Sequence, residues 1–553
     1  MLLLLHGMLL RVAIAAPRAE NVTVLLFQTE QVEQLHLRFS GATLRTCPTC
    51  TQQSGAVSLD LRRQGNLMLD ASNRPLRFVE LHGKVAVDTS GHHHAEAAGR
   101  WRIDVVHDRL RVRLDVSSER YVEAVLTAEA DPQEPVESLK ALAVVTRSFA
   151  ATASGRHEGD ALCDTTHCQT LRFEPVRQSI RDAVWATSGE TLWYGARQVP
   201  AYFSQHCGGF TEDAAAAWGG QVRPWLSAHA DPWCMRVPAQ WHASLPEADI
   251  RRAVQSEGIT IPGAIQQIAP LSQDASGRIQ QLRLRFAGGT QTVRAATFRF
   301  AVDRNLGWNQ IRSDRYQVQR AGEKFVFDGS GFGHGVGLCQ TGAAAMARAG
   351  KSYRDILRTY FPGTVVRISR SDAGWVDVPA NGFTLRVTQR DGALAEDATG
   401  AFAEARMRWE QPVTVHPTLT VFPTTKAFRE ATGEPGWALA ATTGDRIATQ
   451  PADVLRTHGG ARSLFRHEFL HSFVETEASH TAPLWLREGL VAALNGESCR
   501  DAPAWTGEQV STALRSPGPQ ETSQRAHRAA CALALRYLRE HGLAATHSLL
   551  QQR

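Results

Sequence analysis

In the first part of the chain, apolar and polar residues alternate in short runs: Val22–Phe27, Ala56–Leu61, Leu67–Leu69, Trp101–Val106 and Leu110–Val116. A period of two, punctuated by turn residues, predicts half-buried strands, so residues 20–117 read as β-rich. At Ser118 the period changes. Tyr121, Val122, Val125 and Leu126, then Val136, Leu139, Ala143 and Val144, recur at helical spacing around a turn at Pro132. Short strands and loops are expected from there to about residue 320. The Gly-rich stretch Gly329-Ser-Gly-Phe-Gly-His-Gly-Val-Gly337 leads into a helix at Thr341–Ala349, and a second helix over Tyr353–Tyr360 ends at Phe361-Pro362-Gly363. Residues 368–382, rich in Ser, Asp, Gly and Pro, read as a linker. Beyond it the pattern predicts a strand (Phe383–Val387), a helix (Ala401–Arg408), a strand (Val413–Phe422) and mostly helix from Gly460 onward. The expected fold class is therefore α+β. A β-rich region with helices spans residues 20–117 and 118–367, and a second α+β domain follows over 383–553.

Composition narrows the function classes. With 553 residues, 43% hydrophobic and 21% charged, the chain is neither disordered nor a disulfide mini-scaffold. No apolar run reaches the ~18 residues that span a bilayer, so no integral membrane span is expected. Sixty basic against 55 acidic residues leave a net charge of +5 without a long basic run. That argues against nucleic acid and for diffuse attraction to an anionic surface such as cell wall. The apolar residues Leu2–Leu5 and Met8–Ala16, followed by small residues to Ala19, read as a secretory signal peptide over 1–19, which predicts a secreted, periplasmic or wall-associated protein. Nine cysteines, an odd number, leave at least one free, intermolecular or on a metal. Cys207/Cys234 and Cys499/Cys531 are expected disulfides, Cys47-Pro-Thr-Cys50 a local disulfide or turn, and Cys339 a buried thiol behind the Gly-rich loop. His92-His93-His94 reads as a solvated loop tip.

Glu129 ends an apolar helical face just before Pro132, and a half-buried carboxyl there suits a general acid; by itself such a residue is more often a helix-end carboxylate with no chemistry. Four ordered blocks add weight. They are Tyr121-Val-Glu-Ala-Val-Leu-Thr-Ala-Glu129 with Ser138-Leu-Lys-Ala-Leu-Ala-Val-Val-Thr-Arg147-Ser-Phe-Ala150, then Leu162-Cys-Asp-Thr-Thr-His-Cys-Gln169, then Ala201-Tyr-Phe-Ser-Gln-His-Cys-Gly-Gly209, then Gly331-Phe-Gly-His-Gly-Val-Gly-Leu-Cys-Gln340. In these blocks the chain resembles the SpoIID/LytB family, the stage II sporulation protein D and amidase-enhancer group, over about residues 100–365. It departs from the family pattern at Ala130, where Met is common, and at Leu142, where Gln is common. The resemblance implies a lytic transglycosylase acting on peptidoglycan glycan strands, with Glu129 as acid and base and a 1,6-anhydro product. It also brings a possible wall amidase or wall-associated protein as partner. Ser204, Gly208, Gly209, His334 and Gln340 would line the sugar cleft; Arg147 is either a substrate clamp or a structural partner.

Two groupings suggest metal. His157, Cys163, His167 and Cys168 satisfy tetrahedral zinc in number and type, with a Cys163–Cys168 disulfide as the alternative; the family resemblance implies structural Zn2+ in this loop. His467-Glu468-Phe-Leu-His471 places two imidazoles on one helix face. Glu468 is then poised to deprotonate a water, and Glu488, on the next helical segment, completes a three-ligand set for catalytic Zn2+. With Trp485-Leu-Arg-Glu488-Gly489 the segment resembles the peptidase MA-like (gluzincin) metallopeptidases, which implies a second active site over 383–553. The alternative is a non-catalytic module that targets a metalloprotease to the wall.

Overall fold

The computed structural model describes residues 21–552 apart from positions 40, 48, 51–52, 55–57, 154 and 516–519, so the expected signal peptide lies outside the described residues. It is a mixed α+β structure with two compact units. One comprises the chain up to Glu129 together with Ala153–Val176; the other comprises Ala130–Thr152 together with Arg177 onward.

The first unit is built on one large sheet. Its long antiparallel strands Val79–Thr89, His94–Val106 and Arg109–Ser117 carry the alternation expected of them, with Leu81, Val85, Val87, Trp101, Ile103 and Leu114 fully buried. Strand Asn21–Leu26 pairs with Arg109–Ser117 on one side and, in parallel, with the short strand Leu162–Cys163 on the other. His92–His94 sit exposed at a hairpin tip. The helix Ser118–Glu129 starts where the last long strand ends; Ser117 Oγ accepts the Arg120 N–H (3.3 Å) at its first turn. This helix belongs with the sheet, so the unit does not end at residue 117.

The second unit contains the helix Val136–Thr152, several small sheets and a C-terminal α/β portion. Strands Gln240–Pro246, Lys324–Ser330 and Tyr316–Ala321 form one sheet, and Ile265–Gln273, Ile279–Phe286 and Gly289–Arg294 another, sharing one apolar core. Helices Glu247–Ser256 and Ala295–Leu306 pack into that core, where only strands and loops were expected. The reason is compositional: in Glu-Ala-Asp-Ile-Arg-Arg-Ala-Val the apolar stripe is narrow, yet Ile250, Ala253 and Val254 are fully buried.

The C-terminal sheet runs Val376–Ala380, Phe383–Val387, Thr418–Val421, Arg446–Thr449, Ala440–Thr443, with an antiparallel strand on each edge and two parallel pairings between. Helices Ala395–Trp409 and Ala461–Glu477 pack on it through Phe402, Phe465, Phe469 and Phe473. The expected linker 368–382 is corrected here. Val376–Ala380 is a sheet strand, and Trp375, 7% exposed, donates its backbone N–H to Glu190 (3.0 Å) and Nε1–H to Ser188 O (2.9 Å). Ser, Asp and Gly there form the turn before an anchor, not a free tether. No helix among the described residues is long and apolar enough to cross a membrane.

Cys499–Cys531 and Cys47–Cys50 are disulfides. Cys207 and Cys234 are not bonded to each other, contrary to expectation, because both thiols turn into a buried pocket shared with Cys339 and Asp231.

Candidate active sites and metal centres

Glu129 closes its helix, half-buried, behind a face that buries Tyr121, Val122, Val125 and Leu126. Its Oε1 accepts hydrogen bonds from the Thr170 N–H (3.3 Å) and the Thr170 hydroxyl. The segment that presents Thr170 is fastened to the same helix. Tyr121 OH donates to Gln169 Oε1 (2.9 Å), and Arg172 N–H to Ala124 O (2.9 Å).

Immediately before Thr170 lies the Cys/His cluster. One donor atom each from His157, Cys163, His167 and Cys168 lies within 4.8 Å of all the others. Cys163 Sγ is 3.7 Å from His167 Nδ1, and Cys168 Sγ is 3.6 Å from His157 Nε2 and 3.7 Å from His167 Nδ1. Ligands on a tetrahedral zinc at ordinary Zn–S and Zn–N lengths stand about 3.6 Å apart, so the donor set fits that ion in type and spacing. The two thiols are not joined as a disulfide. A hydrogen bond from Cys168 holds the Cys163 thiol far below the usual range, against the opposing effect of burial, and Cys168 is raised in turn.

In the second unit the expected glycan-side residues flank two short stretches of paired backbone. Phe203–Ser204 and Leu338–Cys339 form a parallel two-stranded ladder and His206 bridges to Phe332, so the segment that carries Ser204, Gly208 and Gly209 runs beside the Gly-rich segment that carries His334 and leads to Gln340. Ser204 Oγ is buried with no hydrogen-bond partner among the described residues. His334 packs edge-on to Trp218 (5.1 Å), which meets Tyr202 (4.7 Å) and is 42% exposed. Burial, then the charges of Arg299 and Arg278, depress His334 to about 3, against a Phe203 backbone hydrogen bond, so the ring is neutral near pH 7. Gln340 opens the helix Gln340–Arg348. Arg147 is 3% exposed and donates to Glu190 O (2.9 Å), the geometry of a structural partner. Glu129 belongs to the first unit and these residues to the second.

The His-Glu-x-x-His residues lie on the helix Ala461–Glu477, with His467 and His471 Nε2 atoms 3.1 Å apart. Glu488, on the helix Leu484–Asn495, brings Oε2 to 3.6 Å from His471 Nε2. Burial would raise the Glu488 carboxyl, but His471, His527 and His467 hold it down at about 2. Glu468 is 6% exposed and its Oε2 accepts the Thr442 hydroxyl (2.6 Å) from the edge strand Ala440–Thr443. Two residues outside the motif lie against it. Glu497 Oε1 lies 2.5 Å from His467 Nδ1 and accepts from Asn495 (2.9 Å), and His527 Nε2 lies 3.5 Å from Glu488. Burial lowers His467, but Glu497 first, then Glu468 and Glu488, lift it to about 9. A carboxylate on the far nitrogen of a histidine is the support that metal-ligating imidazoles usually have. Nothing in the local sequence marks Glu497 or His527 for that place.

Among known proteins, residues 107–194 match the family model described as stage II sporulation protein (SpoIID), a stretch that contains Glu129 and all four Cys/His residues of the cluster. Residues 238–337 match a domain of unknown function (DUF8618). The chain is similar to stage II sporulation protein D of Bacillus amyloliquefaciens, with 29% identity over 280 residues, 47% of this chain and 76% of the relative. It is similar to the same protein of Bacillus subtilis to the same extent. It is also similar to the amidase enhancer of Bacillus subtilis, with 26% identity over 294 residues, 44% of this chain and 40% of the relative.

Proposed function

We propose that this is an exported cell-wall enzyme that cleaves peptidoglycan glycan strands as a lytic transglycosylase through Glu129. The observation that carries the reading is the carboxylate held by Thr170 at the helix end, within the stretch similar to stage II sporulation protein. Protonated, Glu129 gives its proton to the glycosidic oxygen as the bond from the muramoyl anomeric carbon breaks. The resulting carboxylate takes the proton of the muramoyl 6-hydroxyl as that oxygen bonds to the same carbon. No water is consumed, and a single carboxyl serves, unlike the paired carboxylates of hydrolysing glycosidases. Zn2+ held by His157, Cys163, His167 and Cys168 would be structural, with four protein ligands, and would fix the loop that presents Thr170. His334, neutral, and the exposed Trp218 offer a hydrogen-bonding and stacking surface of the kind sugars use.

The same proposal assigns a zinc metallopeptidase site to the C-terminal portion. When bound by His467, His471 and Glu488, Zn2+ would supply Lewis-acid polarisation of a peptide carbonyl. Glu468, fixed by Thr442 through one oxygen, accepts the proton of the attacking water with the other and returns it to the leaving amine. Glu497 orients His467, and His527 steadies Glu488.

Similarity to the amidase enhancer favours a second reading, a non-catalytic glycan-binding module that stimulates a wall amidase and directs the C-terminal site to the wall. Incubation of the purified protein with peptide-stripped glycan strands separates the two. Mass spectrometry should find 1,6-anhydromuramoyl ends with the wild type and none with Glu129→Gln. Binding without cleavage by both proteins supports the second reading.

A further inference from the structure

A second sulfur-rich cluster lies in the other unit, apart from the groups used above. Cys207, Asp231, Cys234 and Cys339 each turn one donor atom into a common point, all four within 4.8 Å of one another and all four buried, at 0%, 2%, 0% and 0% exposure. No two of the thiols form a disulfide.

The surroundings are arranged for negative charge at that point. Asp231 Oδ1 accepts the Trp233 (3.1 Å) and Cys234 (3.0 Å) N–H groups, and its Oδ2 accepts the Tyr360 hydroxyl (2.7 Å) and the Cys207 thiol (3.3 Å). Cys339 is the N-cap of the helix Gln340–Arg348. Its Sγ accepts N–H bonds from Gly342 (3.5 Å) and Cys207 (3.2 Å) at the positive end of the helix dipole. His206 stands beside Cys234 (Sγ to Nδ1 3.3 Å), but its Nδ1 accepts the Gly208 N–H (3.0 Å) and its Nε2 faces Val237 O (2.6 Å), so it is a neighbour, not a fifth ligand.

Three buried cysteines alone would be ordinary small hydrophobes. The carboxylate makes the difference. Asp231 accepts four hydrogen bonds and among the described residues pairs with no Lys or Arg; three sulfurs gathered round one carboxylate are the donor set of a thiolate-preferring cation. We propose that Cys207, Asp231, Cys234 and Cys339 form a closed, structural site for a thiolate-preferring divalent cation, Zn2+ by donor type and number. Four protein ligands leave no position for water, so the site has no catalytic role. It would tie the loop after Ser204 to the start of the helix behind the Gly-rich loop. Binding releases the three thiol protons to solvent and involves no redox step.

Two measurements test this on the full chain. In the first, the purified protein is alkylated without reductant, before and after treatment with a strong chelator, and the modified cysteines are mapped by mass spectrometry. The expected result is that Cys207, Cys234 and Cys339 are protected before chelation and modified after it. Modification that requires reductant would mean a disulfide, and protection unchanged by chelator would mean plain buried thiols; either overturns the proposal. In the second, metal content is measured in a Cys168→Ser/His467→Ala background, where the other two candidate sites are disabled. About one equivalent of zinc should remain and be lost when Cys339→Ser is added. Cobalt loading of the background protein should give thiolate-to-metal absorption that falls with the same substitution. No bound metal in a background protein whose circular dichroism matches the wild type would refute the site.

Discussion

Replacing Gly335 by alanine probes the contact that holds the Gly-rich loop in place. Gly335 has φ +77°, and a Cβ built on it would lie 2.3 Å from Arg278 Nη2 and 2.5 Å from its Cζ. The guanidinium cannot step aside freely. Arg278 is 2% exposed, its Nη2 donates to Cys207 O (2.6 Å), and its Nη1 donates to Phe210 O (3.0 Å) and lies 3.5 Å from Glu212 Oε2. The left-handed backbone alone costs an alanine about 1–2 kcal/mol. Displacing a buried, hydrogen-bonded cation adds roughly 3 kcal/mol. Gly350→Ala is the internal control: its φ is +80°, but nothing lies within 4 Å of its Cβ position, so only the backbone cost applies. At roughly 2 °C per kcal/mol for a unit of this size, calorimetry should show a loss of about 8–10 °C for Gly335→Ala and about 2–4 °C for Gly350→Ala. Equal losses would mean that the loop relaxes without disturbing Arg278 and that the guanidinium does not hold it in place.

Three further outcomes are expected. Cys499→Ser should lower the unfolding free energy by roughly 3–4 kcal/mol, because the bridge closes a loop with a sequence separation of 32; an unchanged denaturation midpoint would show the bridge is not formed. His334, depressed to about 3 from an ordinary 6.5, binds its proton more readily when unfolded, so its contribution to stability is full above pH 6.5 and is lost as pH falls toward 3. A His334→Gln variant should lack that slope in thermal melts across the window. Glu212 works in the opposite sense. Burial and then Asp274 raise it to about 8, against Ser276 and Arg278, so stability falls as pH rises from about 4.5 through 8, and Glu212→Gln should flatten that limb of the melting curve.

Local chemistry was the legible part of this sequence. The four residues around Cys163 and the pair His467 and His471 stand at short spacings that one loop or one helix enforces; the first four donor atoms lie within 4.8 Å of one another, and His471 lies 3.1 Å from His467 and 3.6 Å from Glu488 on the next helix. What depended on long-range folding was not legible. Cys207, Cys234 and Cys339 are far apart in sequence, and a pairing rule that sees only cysteines chose Cys207–Cys234, whereas the pocket also contains Asp231. Glu497 and His527 support the His467 and Glu488 side chains from a loop and a later helix, with no motif to mark them. The β-rich start is legible because its strands have one solvated face and alternate. The helices Glu247–Ser256 and Ala295–Leu306 are hidden in the sequence because their polar residues obscure a narrow buried stripe. Trp375 shows why composition misplaced the linker: one buried aromatic with two hydrogen bonds outweighs the Ser, Asp and Gly before it.

The central claim is intramolecular cleavage by a single carboxyl, and the most direct measurement is digestion of peptide-stripped glycan strands in 18O-labelled water, followed by mass spectrometry of the new muramoyl ends. Attack by the 6-hydroxyl predicts anhydro ends that lack one water and carry no label. New reducing muramoyl ends formed in place of anhydro ends, in excess of those in a Glu129→Gln control, would mean hydrolysis, and the one-carboxyl account of Glu129 would be wrong.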